Sequence, residues 1–409
     1  MMDLAVVTED RLLSGHVLQA HESRLFHQNR TEIEVLFRPK DPNTNLNRLR
    51  YHVRSSEDLK EWISDERLCA GDTFFIFRQT STWGRFKVKK DAFYQVSDYL
   101  KVFPFFVDIV ISFGFKLTDD EKFGCWNVRL GGASGGSDRC VELAYSLRHV
   151  EHNSRGEGEN SWSLRQCGVY QKYNPATHTS VWILLQPSSH LYERICTILQ
   201  NPYPEDQWYG NLLVQMTVFW SVERNWRSYA NDMSNTLRDL RDKAFSSSVG
   251  VKMDADFSLV FSDYQDVQAL LVKMRKDCLA ISSCLEVISG YHNLVDVLGR
   301  VNDNLPDPSI TLSIQSLQGY FRDHLRGMET LLADVGGVSH VLVQILAYRN
   351  QEALIHTSEN IRKIAETSKY ESQTISMILK NTRQDSRTVK ALSIVAVIYL
   401  PVSLVTVST

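Results

Sequence analysis

The sequence predicts an α+β protein. Its N-terminal α/β cytosolic domain is followed by long antiparallel helices and a stalk helix running into a C-terminal transmembrane segment. Three observations predict this order. Short aromatic and β-branched runs with period two crowd the chain before residue 190. Apolar residues at spacings of three and four take over beyond Leu191. From Ala391 to Thr409 the chain holds no Asp, Glu, Lys, Arg or His. The divisions expected are a variable N-terminal region over 1–67, the α+β domain over 68–190, a helical hairpin region over 191–308, a stalk over 309–390 and a membrane segment over 391–409.

Composition narrows the function classes. With 409 residues, 43% hydrophobic and 23% charged, the chain has the make-up of a globular protein rather than a disordered or collagenous one. A formal charge of -3 gives no electrostatic case for nucleic-acid binding. The seven cysteines are odd in number and never form C-x-x-C, which argues for reduced thiols rather than a disulfide framework or zinc module. Asp3, Glu9, Asp10 and Arg11 interrupt Met1–Leu18, so no signal-peptide core forms there and the N-terminal bulk is expected in the cytoplasm.

To about Arg67 the chain is charged and punctuated by Pro39 and Asp41-Pro42-Asn43, which reads as exposed loops and short helical pieces. The run from Thr73 reads as two short strands around a turn at Thr80–Gly84. A helix follows from Asp91 to about Val102, with Asp91 as cap and Phe93, Val96 and Leu100 on one face. Val141, Leu143, Tyr145 and Leu147 alternate along a strand. Ser163–Tyr173 and Thr179–Pro187 flank Asn174-Pro175-Ala176-Thr177 and predict an antiparallel hairpin. The glycine-rich patches 131–136 and 154–160 lack a following Gly-Lys-Ser/Thr, so they read as hairpin loops, not phosphate cradles.

One helical stripe runs from Trp208 through Phe219 to Trp226 and on to Leu240 and Phe245. A second occupies Phe257–Val301, through Val260, Val267, Met274, Ile281 and Ile288. The last helix starts near Ser309, with Gly336-Gly337 as its weak point. In it Leu354, Ile361, Ile375 and Val389 lie on a seven-residue grid with Ser368 and Thr382 between them, a period that suits helices associating as a coiled coil. From Ile310 to Val407 such a helix would exceed about 100 Å. The 391–409 segment spans roughly 28 Å, enough for one crossing. Lys380, Arg383, Arg387 and Lys390 on its N-terminal flank place that side in the cytoplasm. Pro401 fits a membrane helix whose neighbours re-satisfy the freed carbonyl.

Enzyme motifs are missing: there is no His-Glu-x-x-His, no Gly-x-Ser-x-Gly and no dinucleotide fingerprint, so no catalytic or cofactor-binding residue is assigned and the chain is read as no enzyme. His149 and His152 form the best metal-like pair, yet on a strand they point to opposite faces. Asp119, Asp120 and Glu121 read as a solvated turn. Asp254, Asp256, Asp263 and Asp266 read as helix-surface acids, and the tryptophans, including Trp126, Trp162, Trp182, Trp208, Trp220 and Trp226, as packing. Metal ligands stay unassigned. Asn381 and Asp385 are the polar positions that could face a symmetric pore as rings.

Taken in order, Trp162-Ser163-Leu164-Arg165-Gln166-Cys167-Gly168-Val169-Tyr170, Trp182-Ile183-Leu184-Leu185-Gln186-Pro187 and Val397-Ile398-Tyr399-Leu400-Pro401 resemble the CorA-like magnesium transporters, and among them the divergent fungal proteins with a CorA-like domain. The expected localisation is a membrane, crossed once near the C-terminus, with lipid as a partner. The resemblance implies a homo-oligomer, in that family a pentamer, with magnesium or another divalent cation as transported or regulatory ion. The family follows its first membrane helix with Gly-Met-Asn and a second membrane helix, and neither occurs within these residues. The one Gly-Met is Gly327-Met328-Glu329, within the helical region. The alternative expectation is therefore a non-transporting, tail-anchored helical scaffold or interaction protein.

Overall fold

In a computed structural model, the described residues are 15–38, 50–64, 72–81, 83–116, 126–131, 140–152, 161–174, 179–201, 207–246, 253–301 and 308–407. Helix α1 covers residues 15–25. It is followed by β1 (Ile33–Phe37), β2 (Arg50–Val53), α2 (Ser56–Ser64), β3 (Thr73–Phe77), α3 (Lys90–Leu100), α4 (Phe106–Ile111), β4 (Trp126–Gly131), β5 (Cys140–His152), β6 (Trp162–Asn174) and β7 (Thr179–Leu185). Five helices close the chain: α5 (Ser189–Gln200), α6 (Gln207–Glu223), α7 (Trp226–Ser246), α8 (Met253–Val301) and α9 (Pro308–Val407). The chain divides into two compact units, 1–241 with 266–337, and 242–265 with 338–409.

The first unit is built on a seven-stranded sheet of order β2-β1-β3-β7-β6-β5-β4. All neighbours pair antiparallel except β3 and β7, whose parallel register sets Phe75 beside Ile183. One face packs on α1–α4 through Phe75, Phe77, Ala144, Tyr170, Ile183 and Leu185. On the other face Tyr145 meets Phe219 of α6 at 5.8 Å, and Trp126 meets Tyr291 of α8 at 6.5 Å. Helices on both faces explain why β5 is buried on both sides for ten consecutive residues, so its apolar alternation marks only one of two buried faces. Gly290 permits the closeness on the helical side, since a Cβ there would lie 2.6 Å from Trp126 Nε1.

The hairpin expected around Asn174–Thr177 is present as β6 and β7, with Asn174 opposite Thr179, and the strand through Val141–Leu147 is β5. Residues 132–139, 153–160 and 175–178, which include most of both glycine-rich patches, lie outside the described residues.

Four local expectations are corrected. The stretch before Arg67 is not only loops and helical pieces, because it supplies β1 and β2, with Ile33, Val35 and Val53 in the core. Charged flanks Glu32 and Arg38 shorten β1 to five residues, and β2 is an edge strand with one buried position, so neither shows a long alternating run. After the turn at Thr80–Gly84 the second strand reduces to isolated bridges at Phe86. Its N–H bonds to Leu25 O at 2.7 Å, drawing the segment toward α1 rather than into a ladder. Asp91 does not cap α3; Lys89 occupies the N-cap without a side-chain bond, and Asp91 lies in the first turn where its charge suits the helix dipole. Finally, the stripe through Trp208 and Trp226 breaks between α6 and α7 at Arg224–Asn225, where Asn225 Nδ2 donates to Val150 O at 2.8 Å.

Helix α9 runs through Gly336-Gly337 without interruption. Val335, Val338 and Leu342 are buried around the pair, and this burial outweighs the low helix propensity of two glycines.

Candidate functional site

In the second unit, every side chain of α9 from Leu354 to Ile398 is exposed, including Ile361, Ile364, Ile375, Leu379 and Val389. Exposed apolar surface of this extent is the mark of a contact surface. Helix α9 is also long and apolar enough to cross a membrane.

Reading this segment on the seven-residue grid separates its charges. The column of Leu354, Ile361, Ser368, Ile375, Thr382 and Val389 is charge-free. So is the column of Ser358, Ala365, Ser372, Leu379, Ser386 and Ser393, and so is that of Asn360, Thr367, Thr374, Asn381 and Thr388. A fourth column holds Ile364, Ile378 and Leu392 with two acids, Glu371 and Asp385. At 3.5 residues per turn these four columns are adjacent and span roughly 150°. The cations Arg362, Lys363, Lys369, Lys380, Arg383, Arg387 and Lys390 all lie on the remaining columns. On that side Arg362 Nε pairs with Glu366 Oε1 at 3.2 Å.

The cation-free face is lined with acceptor oxygens. Thr367, Thr374 and Thr388 each donate the hydroxyl proton to the carbonyl four residues earlier, at 3.0, 2.9 and 3.0 Å, and Ser393 does so at 2.8 Å. Each hydroxyl oxygen keeps its lone pairs for an outside donor or cation. Asn381 and Asp385, singled out from the sequence, lie one turn apart on this face, and both are exposed. Glu371, 14 residues before Asp385 in the same column, escaped sequence reading; the signal for it was the spacing of two heptads.

The other sequence candidates do not assemble. His149 is buried, only 4% exposed, with Nε2 3.4 Å from Glu151 Oε1, while Glu151 Oε2 takes Arg165 Nε at 2.6 Å. The His149 bond foremost, and the charge of Arg165 with it, hold the Glu151 carboxyl below its ordinary range despite burial. The His152 ring packs against Trp162 at 5.3 Å, so the two histidines serve different surroundings. Among the described residues no group of three or more His, Cys, Asp or Glu could hold a metal ion. Asp119, Asp120 and Glu121 lie outside the described residues, as do the side chains of Trp208, Asp254 and Asp256. Trp182 and Trp226 are core residues, and Trp162 Nε1 donates to Asp232 Oδ2 at 2.6 Å. Met328 of the Gly-Met pair is buried within α9, 1% exposed.

The sequence family described as CorA-like transporters matches residues 13–130 and 132–245, more than half of the chain. The chain belongs to the CorA-like transporters. The match takes in β1 through β7, including the Trp162–Tyr170 and Trp182–Pro187 stretches, and ends within α7. None of the curated proteins matches this CorA-like chain. Among solved structures, it is similar to the ZntB cytoplasmic domain from Vibrio parahaemolyticus RIMD 2210633, with 11% identity over 80% of this chain and 100% of that one and a TM-score of 0.42. The soluble domain of CorA from Methanocaldococcus jannaschii matches at 8% identity, 76% and 97% coverage and a TM-score of 0.40. The full-length CmaX protein matches at 11% identity, 82% of each chain and a TM-score of 0.42.

Proposed function

We infer that the chain is a subunit of a homo-oligomeric divalent-cation transport protein, with magnesium as the first cargo to test. On this reading the end of α9 enters a membrane, the basic residues Lys380–Lys390 lie on its cytoplasmic side, and 309–390 is the stalk. Copies associate around an axis, as a pentamer if they follow the family, with the cation-free face of α9 toward that axis. The observation that carries the reading is the charge segregation over residues 354–398 of α9: hydroxyls, amides and two acids on one face, every Lys and Arg on the other.

The chemistry suits a hydrated cation. Magnesium gives up its water shell reluctantly, so a path for it needs acceptors for coordinated water rather than a tight ligand cage. Rings of Asn381, Thr382 and Ser386 would supply those acceptors, and Asp385 would raise the local cation concentration.

The test is the full chain reconstituted into liposomes holding a magnesium-sensitive dye. Asp385→Asn is expected to lower the initial influx rate several-fold, whereas Arg383→Gln on the opposite face leaves it within about twofold. Equal rates for the two variants, or no influx above empty liposomes, would overturn the reading.

A further inference from the structure

On the helical side of the sheet, where β1 begins and β2 and β3 end, a cavity of about 220 Å³ opens between Glu32, Glu34, His52, Arg54 and Arg78. The antiparallel register sets Glu34 opposite His52 on β2 and Ile76 on β3, so the alternate residues Glu32, Arg54 and Arg78 line the rim on the same face. Ile76 lies on that face and is 1% exposed, while Ile33 and Val53 belong to the core on the opposite face and hold the two strands in place.

The charges of the wall are unevenly committed. Glu32 Oε1 accepts from Arg30 Nε at 2.7 Å, outside the cavity. Glu34 accepts the Tyr192 hydroxyl and feels the charge of Arg50. Arg78 lies 5.0 Å from the centre of the Tyr192 ring, which holds the guanidinium in place without neutralising it. Asp58, whose carboxylate also feels the charge of Arg54, accepts from the Arg54 and Ser55 N–H groups, at 2.9 and 3.1 Å. Both acids of the wall thus have partners of their own. Two guanidiniums face the cavity without a hydrogen-bonded carboxylate among the described residues.

We propose that this cavity binds a small organic phosphate, its phosphoryl group on Arg54 and Arg78 and its hydroxyl or amino groups donating to Glu34 and His52. Guanidinium forks match phosphate oxygens in two-point contacts, and a ring-stacked arginine loses less freedom on binding than a mobile one. The volume exceeds that of bare phosphate, and the acceptors in the wall would be wasted on it.

The experiment is calorimetric titration of the detergent-solubilised full chain with adenosine monophosphate and, separately, inorganic phosphate. Saturable binding is expected for both, tighter for the nucleotide. Arg54→Gln should weaken it about ten- to a hundredfold with an unchanged unfolding midpoint. Arg326→Gln, an exposed arginine on α9, should leave it unchanged. The proposal is overturned if neither probe saturates, or if both variants bind like the parent or lose affinity equally. Inorganic phosphate binding as tightly as the nucleotide would overturn the organic assignment.

Discussion

The Tyr229 hydroxyl donates to the Asp277 carboxylate at 2.5 Å, tying α7 to α8 through a carboxyl that is 1% exposed. Trp162 and Trp226 pack edge-on against the same tyrosine ring, both at 5.9 Å, and Lys273 Nζ lies 5.3 Å from its centre. Burial pushes the Asp277 carboxyl up to about 6, with the Tyr229 bond and Lys273 opposing the shift. Burial likewise pulls the Lys273 ammonium below its ordinary value.

This relationship predicts a pH dependence. The folded value of Asp277, about 6, lies above its ordinary 3.8, so in the interval between them the native state holds a proton that the unfolded chain has released. The stability associated with that proton is fully present below 3.8 and is lost as pH rises through about 6. Asp277→Asn should therefore flatten the difference in stability across this window and be the more stable protein at neutral pH, by at most about 3 kcal/mol. Chemical denaturation of both proteins from acid to neutral pH measures it, and parallel curves would refute the assignment.

Trp126 and Gly290 predict a steric effect. Alanine at 290 would gain up to about 1 kcal/mol in helix propensity. However, its Cβ would stand 2.6 to 2.9 Å from three atoms of a rigid indole. Gly290→Ala should thus lower stability by about 1–3 kcal/mol, read as a fall in thermal midpoint, and Trp126→Leu in the same chain should recover part of the loss.

Ser188 caps α5, its Oγ accepting from Leu191 N at 3.1 Å. Ser188→Ala should cost about 1 kcal/mol and Ser188→Asp should largely preserve stability, because Asp supplies the same acceptor at the positive end of the helix. Urea midpoints for the two variants check this order.

Sequence reading reached the elements whose period was long. β5, the β6–β7 hairpin, α8 and α9 were all legible from apolar spacing, and the seven-residue grid through Leu354 and Val389 marked one column of the cation-free face. Short elements were hidden: β2 buries one residue, Val53, and leaves no pattern to read. The Tyr229–Asp277 pair was equally invisible, because it joins residues of two helices 48 positions apart and depends on burial, which no local period reports. Asp385 was legible as a candidate, while Glu371 emerged only when all seven columns of the grid were compared.

The most direct test of the account asks which face of α9 meets its copies. Cysteine placed at Ser386 on the cation-free face, and at Gln384 on the opposite one, can be oxidised in membranes and followed as disulfide-linked dimers against the parent chain's own cysteines. Ser386→Cys is expected to cross-link well above the parent and Gln384→Cys to remain at the parent level; strong cross-linking at Gln384 with none at Ser386 would contradict the proposed orientation.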